Sequence, residues 1–178
     1  MRCYIQKYRS PFGGITLAGD GETIAGLWFD GQKYYAENLP EEREEKDAPV
    51  FARAREWLDV YFSGKEPSFT PPLSSEGVSP FRKRVRKILL EIPYGRTATY
   101  GEIAARIARE TGKRVSAQAV GGAVGHNAVS LIVPCHRVVG ANGSLTGYAG
   151  GTDKKIALLK LEGADVSGLF VPKRGTAL

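Results

Sequence analysis

This sequence is poor in cysteine, in histidine and in long apolar runs. Among its 178 residues there are 2 cysteines and 2 histidines. Cys3 and Cys135 could form only one disulfide with each other, which argues against a disulfide-stabilised scaffold. No apolar stretch approaches the roughly 20 residues of a membrane-spanning helix, and the opening MRCYIQKY has no apolar signal-peptide core. We therefore expect a cytoplasmic protein with reduced thiols and no membrane partner.

The scarcity of cysteine and histidine also counts against metal chemistry. A structural zinc site needs about four ligands, usually in close pairs, whereas the chain has Cys3, His126, Cys135 and His136 with no CxxC or HxxxH spacing. A zinc nucleobase deaminase carries P-C-x-x-C, and Val138 stands where the second cysteine would be. The prediction is that the protein holds no metal.

Charge is divided unevenly between the two halves of the chain. Residues 1–75 carry a net charge of −3 and residues 76–178 a net charge of +9. A basic excess confined to the second half is typical of a domain that binds a polyanion, most often nucleic acid. A basic surface that serves only solubility explains the charge equally well, so other features have to decide.

The stretch EPSFTPPLSSEGVSP, residues 66–80, is rich in proline and serine and is the best candidate for a linker. It divides the chain into an N-terminal domain, residues 1–75, and a C-terminal domain, residues 76–178. In the first domain, CYIQKY, GITLAG and TIAGLWF are separated by turn sequences and predict an antiparallel meander. The charged run EEREEKD at 41–47 predicts a loop, and PVFARAREWLDVYFSG predicts a helix.

The second domain begins with helix signals. Ser79 followed by Pro80 is an N-cap with a proline at the first helical position. Thr99 and Glu102 form a capping box for a second helix, and Ser116, after the turn TGKRV, caps a third. A helix, a short glycine-containing turn and another helix make up the helix-turn-helix pattern of many DNA-binding proteins.

The third helix, SAQAVGGAVGHN, is rich in glycine. Each glycine costs a helix about 1 kcal/mol relative to alanine, so another interaction should compensate. One face is predicted to pack inward and the other to point outward. The inward face comprises Ala117, Val120, Gly121 and Val124, and the outward face comprises Gln118, Gly122 and Gly125. An outward glycine face allows close approach of DNA, although helix–helix packing alone would also explain the glycines.

The segment LIVPCHRVVG, residues 131–140, places Cys135, His136 and Arg137 side by side among aliphatic residues that predict a buried strand. A buried free cysteine is common, but it leaves His136 and Arg137 unexplained. A nucleophilic cysteine needs a base within reach of its sulfur. Because neighbours in an extended chain point to opposite faces, His136 could serve Cys135 only through a turn or a bridging water.

Several motifs together resemble one family. IVPCHRVV, residues 132–139, is similar to the active-site signature of the O6-alkylguanine-DNA alkyltransferases, also called methylated-DNA–protein-cysteine methyltransferases. Four further motifs match that family in order and spacing: PYGRTATYGEIA at 93–104, AVGGAVGHN at 119–127, GSLTGYAGG at 143–151 and KKIALLKLEG at 154–163. The resemblance covers most of residues 79–163 and is specific as a set, whereas the N-terminal half resembles the family's variable domain more loosely.

The resemblance implies an α+β protein. It would combine a small N-terminal α/β domain, ribonuclease-like and with an antiparallel sheet, with a C-terminal helical domain of winged helix-turn-helix type. The implied function is direct DNA repair, in which the alkyl group of O6-alkylguanine, and of O4-alkylthymine, in duplex DNA passes irreversibly to a cysteine of the protein. Each molecule would act once, without a cofactor. Nothing in the sequence requires more than a monomer.

The family's site roles fall on matching positions of this chain. Cys135 would be the nucleophile and alkyl acceptor, His136 would draw off the thiol proton through a water, and Glu162 would orient and polarise His136. A relay suits the chemistry, since a thiol with a pKa of about 8.5 is mostly protonated at neutral pH. Together with Gly122, several residues are expected to contact DNA or the flipped base or to brace that site: Tyr100, Gln118, Asn127, Val138, Tyr148, Ala149 and Gly150.

Two positions depart from the family pattern. Gln118 stands where the family often has an arginine that fills the gap left by the flipped base; glutamine fills space but offers no cation, although Arg114 lies four residues earlier. Ala149 stands where some members have serine, and it keeps the backbone N–H group.

Two alternatives come from other classes of protein. Non-catalytic alkyltransferase-like proteins bind lesions but usually have tryptophan at the acceptor position, which Cys135 argues against. A helix-turn-helix regulator with an incidental cysteine would bind undamaged DNA with sequence preference, whether or not Cys135 is present.

Overall fold

A computed structural model of the chain describes residues 2–37 and 39–173. The chain divides into two compact units. The first ends at Gly77 and also includes Ala128–Ile132, and the second comprises Val78–Asn127 and continues from Val133. Within the described ranges, no helix is both long and apolar enough to cross a membrane.

Within the described residues, the first unit contains a four-stranded sheet. Its strands are β1 (Tyr4–Ser10), β2 (Gly13–Gly19), β3 (Ile24–Phe29) and β4 (Glu44–Glu45). Their order in the sheet is β3-β2-β1-β4. The predicted antiparallel meander is confirmed, since β1 pairs with β2 and β2 with β3 in antiparallel fashion.

Strand β4 corrects the prediction of a loop at 41–47. It pairs in parallel with β1, and the amide of Glu44 donates to the carbonyl of Cys3 at 3.0 Å. Both glutamates of β4 are exposed. A charged run can therefore still supply backbone hydrogen bonds at a sheet edge, and charged side chains there discourage pairing with another molecule.

Two further segments pack on this sheet within the first unit. Helix α1 (Pro49–Phe62) buries Phe51 and Leu58, as its apolar spacing predicts, and Trp57 as well. Residues 128–132, which come much later in the chain, extend the hydrogen bonding of β3: the amide of Leu27 donates to the carbonyl of residue 128 at 2.8 Å. No pattern in the sequence predicts that this segment joins the first unit.

The second unit is built on four helices, and the three predicted N-caps are confirmed. The Ser79 and Ser116 hydroxyls accept from backbone amides of their helices, and Thr99 and Glu102 form the capping box. The helices are α2 (Pro80–Leu90), α3 (Tyr100–Thr111), α4 (Ala117–Gly125) and α5 (Thr152–Leu161). Two short parallel strands, β5 (Ala98–Thr99) and β6 (Val138–Val139), connect the start of α3 to the residues that follow Arg137.

The predicted assignment of residues to the inward and outward faces of α4 is correct in the middle of the helix and wrong at its two ends. Val120, Gly121 and Val124 are buried, as predicted. Ala117 is exposed, because the first residue of the helix lies before the turn that reaches the core. Gly125 is buried rather than outward, because the chain turns inward from the end of the helix.

The residues around Cys135 do not form the predicted strand. The backbone at Pro134 has φ −80° and ψ 62°, and the amide of Cys135 donates to the carbonyl of Val133 at 2.8 Å, which is an inverse γ-turn. Cys135–Arg137 then form one 3₁₀ turn, and extended structure begins only at Val138. The fixed φ of proline favours this turn.

Candidate active site

Cys135 opens the 3₁₀ turn, and its side chain is 5% exposed. The amide nitrogen Nδ2 of Asn127, which follows α4, donates to the Cys135 sulfur at 3.1 Å and to the carbonyl of Val133 at 3.1 Å. Burial raises the pKa of the Cys135 thiol, while the Asn127 amide and the charge of Lys155 act in the opposite direction. Asn127 thus both braces the chain before the turn and donates to the sulfur.

His136 is fully buried, and its Nε2 lies 2.6 Å from Oε1 of Glu162, the residue that ends α5. Burial lowers the pKa of His136, which favours the neutral ring. In a neutral ring that faces a carboxylate, the hydrogen is assigned to Nε2, so Nδ1 is the basic nitrogen. Glu162 therefore fixes both the orientation and the tautomer of the imidazole.

Arg137 forms an internal ion pair, and its partner is Glu162. Nε of Arg137 donates to Oε2 at 2.9 Å, Nη2 donates to Oε1 at 3.0 Å, and Nη1 donates to the carbonyl of Ile92 at 2.7 Å. Burial opposes ionisation of Glu162, but the hydrogen bond from His136 and the hydrogen bonds and charge of Arg137 outweigh it and lower the pKa of the carboxyl to about 2. Because Arg137 is always charged, Glu162 is ionised whether or not His136 carries a proton.

Gly95 supplies a further donor to this carboxylate. Its backbone amide donates to Oε2 of Glu162 at 3.2 Å. Its φ is 74°, and a Cβ at this position would lie 2.8 Å from the carbonyl oxygen of Glu162. Glycine is required here for both reasons, the left-handed backbone and the close approach.

The carbonyl of Thr146 receives two donors from different helices. Tyr100, the first residue of α3, donates its hydroxyl at 3.0 Å, and Nζ of Lys155 in α5 donates at 3.1 Å. Lys155 is fully buried. Burial lowers the pKa of Lys155 to about 8 and raises that of Tyr100 above its usual range. The negative charge of a Cys135 thiolate acts on both groups.

Tyr148 lies edge-on to the ring of His136, with ring centroids 6.4 Å apart. Its buried hydroxyl makes no hydrogen bond to any residue in the ranges that the structure describes. A Cβ on Gly150 would lie 2.7 Å from the Tyr148 ring, which explains the glycine at that position. Ala149 is half-buried between them, and Val138 is fully buried after the 3₁₀ turn.

The structure therefore gathers most of the predicted site residues in the second unit, around Cys135. Gln118 and Gly122 lie instead on the outer side of α4, where Gln118 is exposed and Gly122 is half-buried. A Cβ at Gly122 would meet nothing within 4 Å. No three His, Cys, Asp or Glu side chains are grouped as a metal ion would require within residues 2–37 and 39–173.

Sequence reasoning missed Lys155, whose side chain is fully buried. The signal was present in KKIALLKLEG, because Lys155, Leu158, Leu159 and Glu162 recur at helical spacing and therefore share one face. Leu158 and Leu159 mark that face as buried. A lysine on a buried helix face is unusual and points to an anionic or acceptor partner.

Comparison with known proteins identifies both parts of the chain. Residues 3–75 match the family described as "6-O-methylguanine DNA methyltransferase, ribonuclease-like domain", and residues 80–164 match "6-O-methylguanine DNA methyltransferase, DNA binding domain". The methylated-DNA–protein-cysteine methyltransferase of Methanosarcina acetivorans is 46% identical over 161 residues, which cover 90% of this chain and 99% of that protein. The Haemophilus influenzae protein of the same name is 41% identical, over 89% of this chain and 86% of that protein.

Solved structures agree with the sequence comparison. The crystal structure of Mycobacterium tuberculosis OGT in complex with DNA is similar with a TM-score of 0.78 and 42% identity, over 93% of this chain and 94% of that chain. Since both of its domains match and its relatives are this similar over most of their length, the chain belongs to the 6-O-methylguanine DNA methyltransferase family.

Proposed function

We propose that this protein repairs alkylated DNA directly, by moving the alkyl group of O6-alkylguanine in duplex DNA onto the sulfur of its own Cys135. The observation that carries the proposal is the set of hydrogen bonds at this buried thiol, with Asn127 on the sulfur and His136 fixed by Glu162 beside it. The relatives named above carry the name of a reaction that ends on a cysteine.

The other cysteine has different surroundings. Cys3 packs against Ala18 and Trp28 in an apolar cluster. Burial raises the pKa of the Cys3 thiol, and the charge of Arg43 opposes this. An apolar environment keeps a thiol protonated and inert. Burial also raises the pKa of Cys135, but the sulfur of Cys135 receives the Asn127 amide and the charge of Lys155 lowers its pKa, so we assign Cys135 as the acceptor.

The reaction is a displacement at carbon. The Cys135 thiolate attacks the alkyl carbon, so a C–S bond forms as the bond from carbon to O6 breaks, and the electron pair of that bond stays on O6. The guanine takes up one proton, which balances the proton that the thiol has lost. The products for a methyl lesion are S-methylcysteine and unmodified guanine. The same displacement applies to O4-alkylthymine, and neither reaction consumes a cofactor.

The thiol has to lose its proton before it attacks, since the thiolate is the nucleophile. Nδ1 of His136 is the base, and it reaches the thiol through a bridging water. Glu162 is an anchor for His136 rather than a final proton acceptor, because its carboxylate already accepts from His136, Arg137 and Gly95. Asn127 stabilises the sulfur as negative charge develops there.

The lesion has to leave the base stack to reach a buried thiol. We assign the base site to Val138, Tyr148, Ala149 and Gly150, where the buried Tyr148 hydroxyl is available to a bound base. The outer side of α4 meets the DNA: Gly122 allows close approach, and Gln118 fills the gap left by the flipped base. Tyr100 lies beside the base site through its hydrogen bond to Thr146.

The Cys135 thiol has to be reduced in order to accept an alkyl group. We therefore propose that the protein acts in the cytoplasm, where thiols stay reduced. Each step above uses residues of a single chain, so a monomer is sufficient.

The test is incubation of the protein with duplex DNA that contains O6-methylguanine, followed by mass spectrometry of the peptides. We expect one methyl group on the peptide that contains Cys135 and unmodified guanine in the DNA. Cys135→Ser should abolish the transfer, and Cys3→Ser should leave it intact. If no peptide gains a methyl group although the damaged duplex is bound, the proposal is wrong and a lesion-binding protein is favoured.

A further inference from the structure

Lys155 takes no direct part in the transfer of the alkyl group or of the thiol proton, although it is among the most buried of the described residues. Its side chain is fully buried, yet it donates a single hydrogen bond, to the carbonyl of Thr146 at 3.1 Å, within the residues that the structure describes. An ammonium group has three N–H donors. Burying such a group is costly unless an opposite charge compensates for it.

A count of charges around Cys135 shows where that compensation comes from. Within the described residues, the ionisable groups that act on Cys135 or on its neighbour His136 include, besides Lys155, Tyr100 from α3, Tyr148 from the following loop, Glu162 from the end of α5 and Arg137 from the same 3₁₀ turn. The charges of Arg137 and Glu162 cancel within their ion pair. Burial keeps the two tyrosines and His136 neutral, since it raises the pKa of each tyrosine and lowers the pKa of His136.

Lys155 is therefore the one charge of this set that another member does not neutralise. We propose that the ammonium group of Lys155 is the buried counter-charge of the Cys135 thiolate, which makes Lys155 a positioning residue for alkyl transfer. This inference rests on the proposed function, because it treats the thiolate as the species that accepts the alkyl group.

Two observations support this pairing over a purely structural role. Helix α5, which carries Lys155, packs against the 3₁₀ turn that carries Cys135. At this contact the lysine lowers the pKa of the thiol, and the thiolate raises the pKa of the lysine. In addition, Thr146 already receives the Tyr100 hydroxyl at 3.0 Å. A neutral side chain at position 155 would therefore leave this carbonyl hydrogen-bonded, so a lysine is not needed to satisfy it.

Alkylation removes the anion that Lys155 neutralises. The thiolate becomes an uncharged thioether, and the ammonium loses its opposite charge. At neutral pH we expect the alkylated protein to release a proton from Lys155 more readily than the protein with a thiolate does, since the charge that favoured the protonated lysine has gone.

The experiment compares Lys155→Gln, Lys155→Met and Lys155→Arg with wild type. Glutamine can still donate to Thr146 but has no charge, and arginine keeps the charge. The matched control is Lys160→Met, which removes one positive charge from an exposed position of the same helix. The first readout is the pH titration of the ultraviolet thiolate absorbance, taken as the difference from the same protein with Cys135→Ser. The second is the single-turnover rate of repair of O6-methylguanine DNA as a function of pH.

We expect the thiolate of Lys155→Gln and Lys155→Met to form only at higher pH than that of wild type. Their repair rate at neutral pH should fall on the order of tenfold or more, as loss of a nearby charge in a low-dielectric site predicts, and should recover as the pH is raised. Lys155→Arg and Lys160→Met should keep both profiles close to wild type. If Lys155→Met does not fold, the comparison of Lys155→Gln with Lys155→Arg still tests whether the positive charge at position 155 favours the thiolate.

A repair rate that falls in Lys155→Gln with no shift of the thiolate titration would overturn the inference, because it would reduce Lys155 to a support for Thr146. The titration needs no DNA, so it remains informative if the protein repairs no lesion. In that case the proposed function fails while the counter-charge is still tested.

Discussion

Two hydrogen bonds join the guanidinium of Arg137 to the carboxylate of Glu162, from Nε to Oε2 at 2.9 Å and from Nη2 to Oε1 at 3.0 Å, and both side chains are buried. Such a bidentate pair fixes geometry as well as charge. The same carboxylate accepts from Nε2 of His136. The orientation of the proposed base thus depends on an arginine that is its neighbour in sequence and that has no direct part in the proton transfer.

Glu162→Gln is expected to be strongly destabilising, because it leaves the Arg137 charge buried without its partner. Breaking a buried ion pair from one side typically costs roughly 3–5 kcal/mol. The pKa of Glu162 is about 2 in the folded protein, against an ordinary value of 4.5. Because the folded pKa is the lower one, the stabilisation by the carboxylate is complete above pH 4.5 and is lost as the pH falls towards 2.

Urea unfolding of wild type and Glu162→Gln measures this difference across that pH range. The gap in unfolding free energy should narrow from pH 5 downwards. Asp153→Asn, an exposed change on the same helix, is the control and should show little effect. A gap that stays constant down to pH 2.5 would contradict the assignment of the low pKa to Glu162.

Lys155→Met should make the protein more stable at neutral pH while it slows repair. The pKa of Lys155 is about 8 in the folded protein, below its ordinary value of 10.5, because burial disfavours the charged form. A base with a lowered folded pKa destabilises the fold below that pKa, and this cost disappears as the pH rises to the unfolded value. After the loss of one hydrogen bond, the net gain should be roughly 1–3 kcal/mol.

Denaturant titrations at pH 7 and pH 10 test this expectation. The free energy of unfolding of Lys155→Met should exceed that of wild type at pH 7, and this difference should shrink towards pH 10. Lys160→Met should differ little from wild type at either pH, since that side chain is exposed. A Lys155→Met protein that is less stable than wild type at pH 7 would mean that the lysine stabilises the fold.

Gly122→Leu should impair DNA binding and leave the fold intact. A Cβ at Gly122 has open space, so a larger side chain can project outward from α4 without disturbing the core. If DNA approaches this surface closely, a leucine there would hold it off, and the affinity for duplex DNA should fall on the order of tenfold or more. Gly122→Ala is the matched control: it should raise the unfolding free energy by about 1 kcal/mol with a smaller effect on DNA. Unchanged affinity in Gly122→Leu would refute close approach at this position.

Local patterns predicted much of the fold. The strands of the meander and the caps at Ser79, Thr99 and Ser116 depend on residues next to one another in sequence, so the sequence was sufficient. The failure at Cys135–Arg137 has a different origin. Aliphatic neighbours predict a strand, whereas Pro134 and a hydrogen bond from Cys135 to Val133 turn the chain.

The candidate site likewise contains some residues that local sequence patterns predict and others that they do not. Its motif pointed to Cys135 and His136, but the partners of those residues are set by packing between distant segments. Gly95 reaches Glu162 across 67 positions, and Lys155 and Tyr100 share the carbonyl of Thr146 as their acceptor. In the first unit, Leu131 adopts φ 69°, which its side chain does not predict, because bulky residues rarely take left-handed backbone angles.

Gln118→Arg should strengthen DNA binding and make it more sensitive to salt. Gln118 is exposed in the first turn of α4, so a longer cationic side chain fits there. One added positive charge inside the duplex should displace about one counterion and steepen the slope of log affinity against log salt by about 1. Gln118→Met, of similar length but uncharged, is the control and should leave the slope unchanged. If both variants keep the slope of wild type, position 118 does not enter the DNA.

Each molecule is expected to react only once. If Cys135 accepts an alkyl carbon, the product is a thioether, which has no carbonyl for water to attack and from which the thiolate is a poor leaving group. The second cysteine, Cys3, is buried in an apolar cluster with Ala18 and Trp28, which keeps its thiol protonated and unreactive, so it offers no resolving thiol. We therefore expect each molecule to repair one lesion.

The measurement is a titration of DNA containing O6-methylguanine against a fixed amount of protein, with repaired guanine and S-methylcysteine both counted. Repair should reach a plateau at about one lesion per chain, and addition of reduced thiols should not restart it, because a thioether is not reduced as a disulfide is. Fresh protein added to the same mixture is the control, and it should resume repair at once. Continued repair of many lesions per chain would show that the alkyl group leaves Cys135 by a step that the residues around it do not explain.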